Sequence, residues 1–378
     1  MMNMSIAGIA STAKDLPLAH WQLFCGGENA GKGGAGMAIG KSDQPFSGGG
    51  SVPAASHAEL NVYHLPDGSW LFESPAHLPP AQVLLSPDGG KIRYHLPECS
   101  DSQGQKTKLN HFLRTAYECR FCREGVVSLH AACVENGECA VAFTGSSGMG
   151  KSTRALAWTS ALGFQWISGD RPAVRLEAAG STACGVPWDG KEQIFRPVAR
   201  PLRAIMEVRR SSVNHIRRLS PQQARSLLMR QTFVPMWDTQ ASVMAMANIR
   251  ALIERTPVYR VFCGPDERDA KEIYDILFNH PERIGGEEKE MRIKDGFVLR
   301  NVVDEYIVMP TGENIARFSG AVILNEVSAF VFEQMKKPIS GEDLLAAVLS
   351  QFDTDEQTAR ADLEELLATF RELKMIEA

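Results

Sequence analysis

Residues 140–152 read Ala-Val-Ala-Phe-Thr-Gly-Ser-Ser-Gly-Met-Gly-Lys-Ser, and this stretch decides the fold that we predict. The apolar run Ala140 to Phe143 leads into a segment that fits the pattern G-x-x-x-x-G-K-[ST]. In that pattern the glycines let backbone N–H groups close around phosphate oxygens, and the next helix adds the positive end of its dipole. Thr153 to Leu162 contains no Gly or Pro, so we expect a helix there.

The pattern assigns a role to the end of this loop. Lys151 can reach the outer phosphates of a nucleotide, and the Ser152 hydroxyl can ligate magnesium. We therefore expect ATP and Mg²⁺ as cofactors, although the pattern alone does not distinguish ATP from GTP or other donors. The expected nucleotide-binding residues are Gly145, Ser146, Ser147, Gly148, Met149, Gly150, Lys151, Ser152 and Thr153. The alternative is a chance Gly-rich turn.

Two similar stretches occur earlier in the chain. Residues 26–33 read GGENAGKG and end in Gly where the hydroxyl belongs, and residues 35–42 read AGMAIGKS and lack the first glycine. Neither follows an apolar run that predicts a buried strand, and a Gly-Gly-Gly run stands at 48–50. We predict a flexible, Gly-rich N-terminal segment over residues 1–54.

Composition limits the class of protein. A chain of 378 residues with 44% hydrophobic residues allows two or three packed domains. It has no apolar run of membrane-spanning length and no signal peptide pattern, which predicts a cytoplasmic protein without a membrane partner. The formal net charge of −5 gives no overall attraction to nucleic acid, and we expect no nucleic-acid partner.

Eight cysteines without a secretion signal predict reduced thiols and not a disulfide framework. Cys119 and Cys122 have a CxxC spacing, but a structural zinc site needs a second pair or histidines at ligand spacing. Cys133 and Cys139 are the nearest candidates, and their spacing is unusual. We therefore expect no metal or redox role for these thiols.

Two polar residues end strand-like runs close to the loop. Asp170 follows the apolar run Phe164 to Ile167, and His130 follows Val126 to Leu129. Phosphoryl transfer needs a carboxylate that holds magnesium, and often a base that takes the proton of the acceptor. Asp170 is the candidate for both roles, and His130 could contact a phosphate or orient the acceptor. A turn aspartate and a core histidine are the alternatives.

Secondary structure around these residues mixes strands and helices. Short alternating runs separated by turn tripeptides predict a β-rich region at the start of the chain. A helix is expected over Lys106 to Phe121, and two strands, Val126 to Ala131 and Glu138 to Thr144, flank a turn at 135–137. A strand at Val258 to Phe262 and a helix from Asp266 to Phe278 follow.

Three motifs in this order carry a family resemblance. Leu129-His130-Ala131-Ala132, the phosphate loop and Ser168-Gly169-Asp170-Arg171 together resemble the catalytic core of the HPr kinase family and its relatives in peptide-modification clusters. The resemblance covers roughly residues 55–280 and implies an α/β P-loop kinase core of HPr kinase type with a β-rich N-terminal region. Relatives place an Asp pair after the strand. Here the pair reads Gly169-Asp170, so only Asp170 carries over as base, metal ligand or both.

Nine arginines recur between residues 196 and 230. An acidic peptide or a phosphate could be their target, but charge runs of this kind are usually solvated helix faces, which is the reading that we favour. Arg196 and Arg200 are the exception. They follow the turn at 188–191 and are expected to approach the acceptor.

The pattern changes after a polar stretch at 281–291, which we predict to be a linker between a kinase domain at 55–280 and a C-terminal domain at 292–378. Three strand-like runs, Phe297 to Leu299, Tyr306 to Met309 and Ala321 to Leu324, precede three helices. Thr354 and Gln357 suggest a capping box before the last helix. One apolar face of that helix comprises Ala359, Leu363, Leu366, Leu367, Phe370 and Leu373.

This order of strands and helices predicts a small winged-helix-like α+β domain over residues 292–378. It resembles the PqqD-like domains that recognise ribosomally made, post-translationally modified peptides. In that family a leader peptide adds as a strand to the sheet edge and packs on the last helix, a form of β-augmentation. The resemblance implies a peptide site formed by Ala321, Val322, Ile323, Leu324, Leu363, Leu367 and Phe370. The alternative is that these side chains are domain core.

Together the two resemblances imply an ATP-dependent Ser/Thr kinase that phosphorylates a precursor peptide, with Asp170, His130 and Lys151 as catalytic residues. Ser152 and Asp170 are the expected magnesium ligands. A nucleotide-responsive peptide chaperone or scaffold without kinase activity, and an HPr-type protein serine kinase, remain as alternatives. A DNA-binding winged helix is disfavoured by the glutamates of the last helix. Relatives of this kinase fold form rings, which leaves a homo-oligomer open.

Overall fold

The computed structural model describes residues 1–25, 36–47, 52–99, 101–188, 190–211, 213–286, 290–302, 305–312 and 322–377. The chain divides into two compact units, Met1–Gly286 (unit 1) and Glu287–Ala378 (unit 2). None of the helices in these ranges combines the length and the hydropathy that crossing a bilayer requires.

Unit 1 begins with an eight-stranded sheet in the order β1-β2-β3-β8-β7-β6-β5-β4. Its strands are β1 Met2–Ile6, β2 Ile9–Ala13, β3 Met37–Lys41, β4 Ala55–His57, β5 Leu60–His64, β6 Trp70–Glu73, β7 Gln82–Leu85 and β8 Lys91–His95. A 3₁₀ helix, Ala19–Phe24, lies between β2 and β3.

The expected flexible segment over 1–54 is therefore wrong for most of its described residues. Three strands of the sheet belong to it, because alternate side chains such as Met4, Ile6 and Ile9 are buried in one core. The stretch 35–42 contributes β3, so most of it is a strand and not a loop. Residues 26–33 and 48–50 lie outside the described ranges.

Helix α1, Ser102–Arg123, packs between this sheet and the rest of unit 1. It is longer than the expected 106–121 because the Asp101 carboxylate caps its first turn by accepting from the Gly104 N–H at 2.7 Å. Tyr117 and Phe121 of α1 pack around the buried rings of Trp21 and Trp188. These four aromatic side chains join the first sheet to the part of the chain that follows the loop.

The second sheet of unit 1 has nine strands. They are β9 Val126–Ser128, β10 Ala131–Glu135, β11 Ala140–Thr144, β12 Gln165–Ser168, β13 Ala173–Glu177, β14 Gly180–Cys184, β15 Ala199–Arg210, β16 His215–Arg218 and β17 Val258–Cys263. The order is β12-β10-β11-β15-β14-β13-β9, with β17 pairing β15 and β16 pairing β17. The three strands β11, β15 and β17 run parallel.

Helices cover both faces of this sheet. Helix α2, Lys151–Leu162, and helix α5, Glu267–Phe278, bury Trp158 and Ile273 against one face. Helix α3, Pro221–Gln231, and helix α4, Thr239–Arg255, cover the other. Strands buried on both sides read as continuous apolar runs, which is why Ala140 to Phe143 shows no alternation.

The predicted hairpin around residue 136 is present, but its first strand is displaced. β10 pairs antiparallel with β11 from Ala131 to Glu135, whereas Val126–Ser128 is a separate strand that pairs with β13. The chain changes partners near His130 because Leu129 forms an isolated bridge with Thr232. The sequence run 126–131 therefore contains two strands and the break between them.

The described residues of unit 2 form two three-stranded sheets and three helices. Its elements are β18 Glu290–Ile293, β19 Phe297–Val302, β20 Glu305–Pro310, β21 Val322–Leu324, α6 Glu326–Gln334, β22 Ile339–Ser340, α7 Gly341–Gln351, α8 Glu356–Glu372 and β23 Ile376–Glu377. The sheets have the orders β22-β18-β23 and β19-β20-β21. One core, with Phe332 and Phe370 at its centre, joins them.

Two local predictions in this part of the chain need correction. The N-cap of α8 is Asp355, whose carboxylate accepts from the Thr358 N–H at 2.9 Å, so Thr354 and Gln357 form no capping box. The predicted linker begins too early, because Gly285 exchanges backbone hydrogen bonds with β16 and belongs to unit 1. The division between the units falls after Gly286.

Candidate nucleotide site and PqqD-like unit

The loop at 145–150 lies between the end of β11 and the start of α2. Gly145, Gly148 and Gly150 all have positive φ, with Gly150 at +89°. The first amides of any helix lack an intrahelical acceptor, and Gly150, the N-cap of α2, has no side chain that could accept from them. A helix start with free amide donors is a ready site for a phosphate.

The charged end of Lys151 lies over this loop. Its Nζ donates to the carbonyl oxygens of Gly145 at 3.0 Å and Ser146 at 3.3 Å. Arg210, at the end of the neighbouring parallel strand β15, donates from Nη2 to the Gly148 carbonyl at 2.8 Å. Two cations therefore face the loop, although the sequence pattern indicates only Lys151.

Strand register places His130 and Asp170 beside the loop. β10 pairs with β11 on one side, with Ala131 opposite Thr144, and with β12 on the other, with Cys133 opposite Ser168. His130, which precedes β10, and Asp170, which follows β12, therefore lie at the edge of the sheet where β11 ends. The His130 Nε2 atom lies 3.8 Å from the Asp170 Oδ1 atom.

Hydrogen bonds hold both groups in place. The His130 Nδ1 atom lies 3.2 Å from the Gln231 Oε1 atom, and the His130 backbone N–H donates to the Gln231 carbonyl at 2.7 Å. The Thr144 hydroxyl donates to the His130 carbonyl at 2.9 Å. On the other side, the Ser168 hydroxyl donates to the Asp170 carbonyl at 2.7 Å. Contacts with α3, β11 and β12 therefore hold His130 and Asp170 in place.

The local electrostatics link these side chains to Lys151. Burial and the charge of Lys151 lower the pKa of His130, while Asp170 opposes that shift. Burial also lowers the pKa of Lys151, again opposed by Asp170. The three predicted catalytic residues therefore share one electrostatic environment, and His130 is mainly neutral at pH 7.

Arg171 anchors the turn that carries Asp170. Its backbone has a φ of +52°, which is uncommon for a side chain other than glycine. Its Nη1 atom lies 3.6 Å from Oε1 of Glu118, a buried carboxylate of α1 that also accepts from the Ser128 hydroxyl at 2.6 Å. This buried partner fixes the direction in which the chain leaves β12.

A second carboxylate, that of Glu192, lies on the same glycine as Asp170, in a loop where we predicted no magnesium ligand. A Cβ atom on Gly190 would lie 3.2 Å from the Asp170 Cβ and 3.6 Å from the Glu192 Oε2. Both acidic side chains therefore flank the same small residue. Glu192 is 22 positions after Asp170. No spacing rule in the sequence points to it, and Asp189 between Trp188 and Gly190 lies outside the described residues.

The expectation for Arg196 and Arg200 is wrong. Both pair with Glu135, at 3.2 Å and 3.3 Å between nitrogen and carboxylate oxygen. Glu135 ends β10, and a strand of five residues separates it from His130 by roughly 16 Å. These two arginines neutralise a buried carboxylate at the opposite end of the strand from the predicted acceptor site.

Two arginines lie closer to the loop, Arg209 of the run and Arg260 of β17. Arg209 and Arg260 pair with the buried Glu207, at 2.9 Å and 2.8 Å. Glu207 stands opposite Thr144 in the parallel pairing of β15 with β11. The cations at the end of β15 are thus part of a structured network and not a solvated helix face.

The cysteines are distributed without a metal cluster. Cys119 and Cys122 are buried in α1, where burial raises the pKa of both thiols, for Cys122 to about 12. In the part of the chain that the structure describes, no group of three or more His, Cys, Asp or Glu side chains forms a metal cluster. Such buried, protonated thiols act as small apolar side chains.

In unit 2, the predicted peptide-binding residues fall into two groups. Val322, Ile323 and Leu324 form β21, the outer strand of its sheet as described, and Ile323 is 65% exposed. Ala321 lies outside the described residues. Leu363, Leu367 and Phe370 are buried in the core of unit 2, and of these three Leu363 also lines a cavity between the helices.

Comparisons with known proteins bear on unit 2. Residues 305–376 match the family model described as "Coenzyme PQQ synthesis protein D (PqqD)", which makes the C-terminal part of the chain PqqD-like. No curated protein matches the chain.

Two solved structures are also similar. One is described as "TbiB1 in Complex with the TbiA(beta) Leader Peptide", with 17% identity over 23% of this chain and 95% of that chain, and a TM-score of 0.20. The other is "Lasso peptide synthetase B1 complexed with the leader peptide", with 16% identity, coverage of 24% and 99%, and a TM-score of 0.20. At these scores neither likeness carries an argument about this fold.

Proposed function

We propose that this protein is an ATP-dependent kinase that phosphorylates a Ser or Thr hydroxyl of a ribosomally made precursor peptide. The observation that carries the proposal is the convergence of the loop lysine, Lys151, with His130 and Asp170 at one edge of the second sheet. A phosphate-binding loop supplies positioning and charge stabilisation, and the pair beside it supplies a proton acceptor.

The residues support a direct transfer. The peptide hydroxyl oxygen attacks the γ-phosphorus of ATP, the bond from that phosphorus to the β–γ bridging oxygen breaks, and ADP leaves with the electron pair. The hydroxyl proton passes to the Asp170 carboxylate or to the neutral His130 imidazole. Lys151 and the amides at the start of α2 stabilise the charge on the transferring group. Arg210 adds a second cation at the loop.

The donor set suits magnesium. Ser152 is half-buried in the first turn of α2, and hydroxyl and carboxylate oxygens are the ligands that this ion prefers. Ser152 and Asp170 would hold it, and Glu192 provides a second carboxylate beside Asp170. When bound, the ion neutralises negative charge on the phosphates. In this proposal Glu192 supplies the second carboxylate that the motif lacks at Gly169.

The peptide substrate in this proposal is inferred from the PqqD-like unit. Both similar solved structures are described as complexes with leader peptides, and β21 offers an outer strand to which a peptide can add. Tethering a leader raises the local concentration of the acceptor segment at the kinase site. The same unit also supports a second role, in which the chain binds and presents the peptide without phosphorylating it.

The test is the intact mass of the small peptide encoded beside this protein, after incubation with the purified chain, ATP and Mg²⁺. We expect a gain of one or more phosphate masses, and we expect the variant Lys151→Ala to abolish the gain while leaving peptide binding intact. Binding without any gain in mass would replace the kinase by the presenting role. Full activity in Lys151→Ala would refute the assigned site.

A further inference from the structure

Helices α6, α7 and α8 of unit 2 line a half-open cavity of about 650 Å³ whose wall begins at Asn325, the residue after β21. None of Val322, Ile323 and Leu324 lines it. Its size falls within the range of roughly 300–1,000 Å³ that is typical of cavities for small ligands. It can therefore accept more than one side chain of a peptide.

Apolar side chains form about half of the cavity wall. Apolar side chains from all three helices face it, namely Val327, Val331, Val348, Phe352, Leu363 and Leu366. Val331, Val348 and Leu363 also belong to the core of unit 2. The apolar part of such a cavity gains free energy by burying an apolar side chain of a partner.

The charged residues at the rim of the cavity are all acidic. Asp353, Asp362 and Glu365 line it and are exposed, and no lysine or arginine stands among the lining residues that the structure describes. The nearest arginine on α8, Arg360, is directed to Glu342, with its two terminal nitrogens 2.7 Å and 3.0 Å from the carboxylate oxygens. That pairing leaves the three rim carboxylates to attract an external cation.

We propose that this cavity binds a peptide segment in which a large apolar residue stands next to Lys or Arg. The apolar side chain enters the cavity, and the basic side chain reaches the carboxylates of Asp362 and Glu365. This inference rests on the proposed function and deepens it, because it states which leader chemistry unit 2 selects. Strand addition at β21 binds the backbone of a peptide, whereas this cavity distinguishes peptides by their side chains.

The test is a selection from a displayed random peptide library against the full-length protein, followed by binding titrations of the selected synthetic peptides. We expect the selected peptides to carry Lys or Arg beside a large apolar residue. The double variant Asp362→Lys/Glu365→Lys should weaken their binding about tenfold at low salt, and added salt should reduce the difference. The matched control Glu364→Lys/Glu372→Lys changes two exposed glutamates of α8 outside the cavity and should change binding less than twofold.

A second variant tests the apolar part. Thr369 is an exposed residue of α8 at the cavity, so Thr369→Trp should fill the space without disturbing the core and should weaken the same peptides. Selected peptides that lack basic residues, or that bind both variants normally, would overturn the inference while leaving peptide recognition at β21 intact. Failure to select any peptide, or self-association through this cavity that Thr369→Trp abolishes, would also overturn it. Phosphate transfer to the encoded peptide is measured separately and decides the kinase proposal.

Discussion

The Nε2 atom of His130 lies 3.8 Å from the Oδ1 atom of Asp170, and Lys151 acts on both electrostatically. Because Lys151 lowers the pKa of His130 and Asp170 raises it, single substitutions should move that pKa in opposite directions. Lys151→Met should raise it towards the ordinary value of 6.5, and Asp170→Asn should lower it further. NMR titration of the imidazole C–H signals measures both shifts without any substrate.

The same pair predicts the pH dependence of transfer. A His130 pKa below 6.5 keeps the imidazole neutral at pH 7, so activity should be level near neutrality and fall only in more acidic solution. Asp170→Asn removes a proton acceptor and should reduce the rate by about 10²- to 10⁴-fold. A rate within threefold of the wild type would show that Asp170 takes no proton.

The loop glycines predict a sharp contrast between two alanine substitutions. Gly150 has a φ of +89°, and a Cβ atom there would meet the guanidinium of Arg154, whose Nη2 donates to the Cys263 carbonyl at 2.7 Å. Gly148 has a φ of +80° but has no heavy atom within 4 Å of a Cβ position. Gly148→Ala should cost about 1 kcal/mol of stability, whereas Gly150→Ala should cost more and should also displace the start of α2.

Urea unfolding and binding of a fluorescent ATP analogue measure the two glycine variants. Nucleotide affinity should fall further in Gly150→Ala than in Gly148→Ala. Equal losses in the two variants would mean that the Arg154 contact does not position the loop.

Glu192 predicts a magnesium-dependent defect. If it acts as the second carboxylate beside Asp170, Glu192→Gln should lower phosphate transfer about tenfold at low Mg²⁺, with partial recovery as Mg²⁺ rises. Lys191→Met changes the neighbouring charged residue and should leave the Mg²⁺ dependence unchanged. Identical Mg²⁺ titrations for the wild type and Glu192→Gln would exclude the role.

The lowered pKa of His111 predicts that the protein loses stability in acid. Burial and the charge of Arg114 lower its pKa to about 4, so the folded state binds fewer protons than the unfolded state between pH 4 and pH 6.5. His111 therefore leaves the free energy of unfolding unchanged above pH 6.5 and lowers it as the pH drops below that value. At pH 5 the loss from this group is about 2 kcal/mol.

The variant His111→Gln should lack that part of the acid loss. Its denaturation midpoint in urea should fall less than that of the wild type between pH 7 and pH 5. All six tryptophans belong to residues 1–286, so tryptophan fluorescence reports the unfolding of unit 1. Equal shifts in the two proteins would contradict the assigned pKa.

Local patterns in the sequence indicate much of this structure. The apolar run before Gly145 and the uninterrupted stretch after Ser152 identify β11 and α2, because both depend on short-range preferences. The breaks near Pro338 and Asp353 likewise separate the last three helices.

Long-range pairing explains what the sequence did not indicate. Strand β3 lies in a Gly-rich stretch, and only its parallel neighbours β2 and β8 hold it in the sheet. Arg196 and Arg200 follow a loop that passes close to Asp170, yet Arg196, just before β15, and Arg200, within it, both pair with Glu135. Glu192 and Asp170 flank Gly190 although 22 positions separate them, and no residue pattern in the sequence indicates this proximity.

The aromatic contact between Trp21 and Trp188, with ring centroids 6.1 Å apart, joins the N-terminal 3₁₀ helix to the segment that follows Asp170. Trp188 precedes the loop that carries Glu192, and its Nε1 donates to the Arg171 carbonyl at 3.4 Å. A truncated protein starting at residue 55 would expose Trp188 and Tyr117 and loosen the segment next to Asp170. Strands β1 to β3 and the 3₁₀ helix Ala19–Phe24 therefore act as an internal scaffold for a segment more than a hundred residues later.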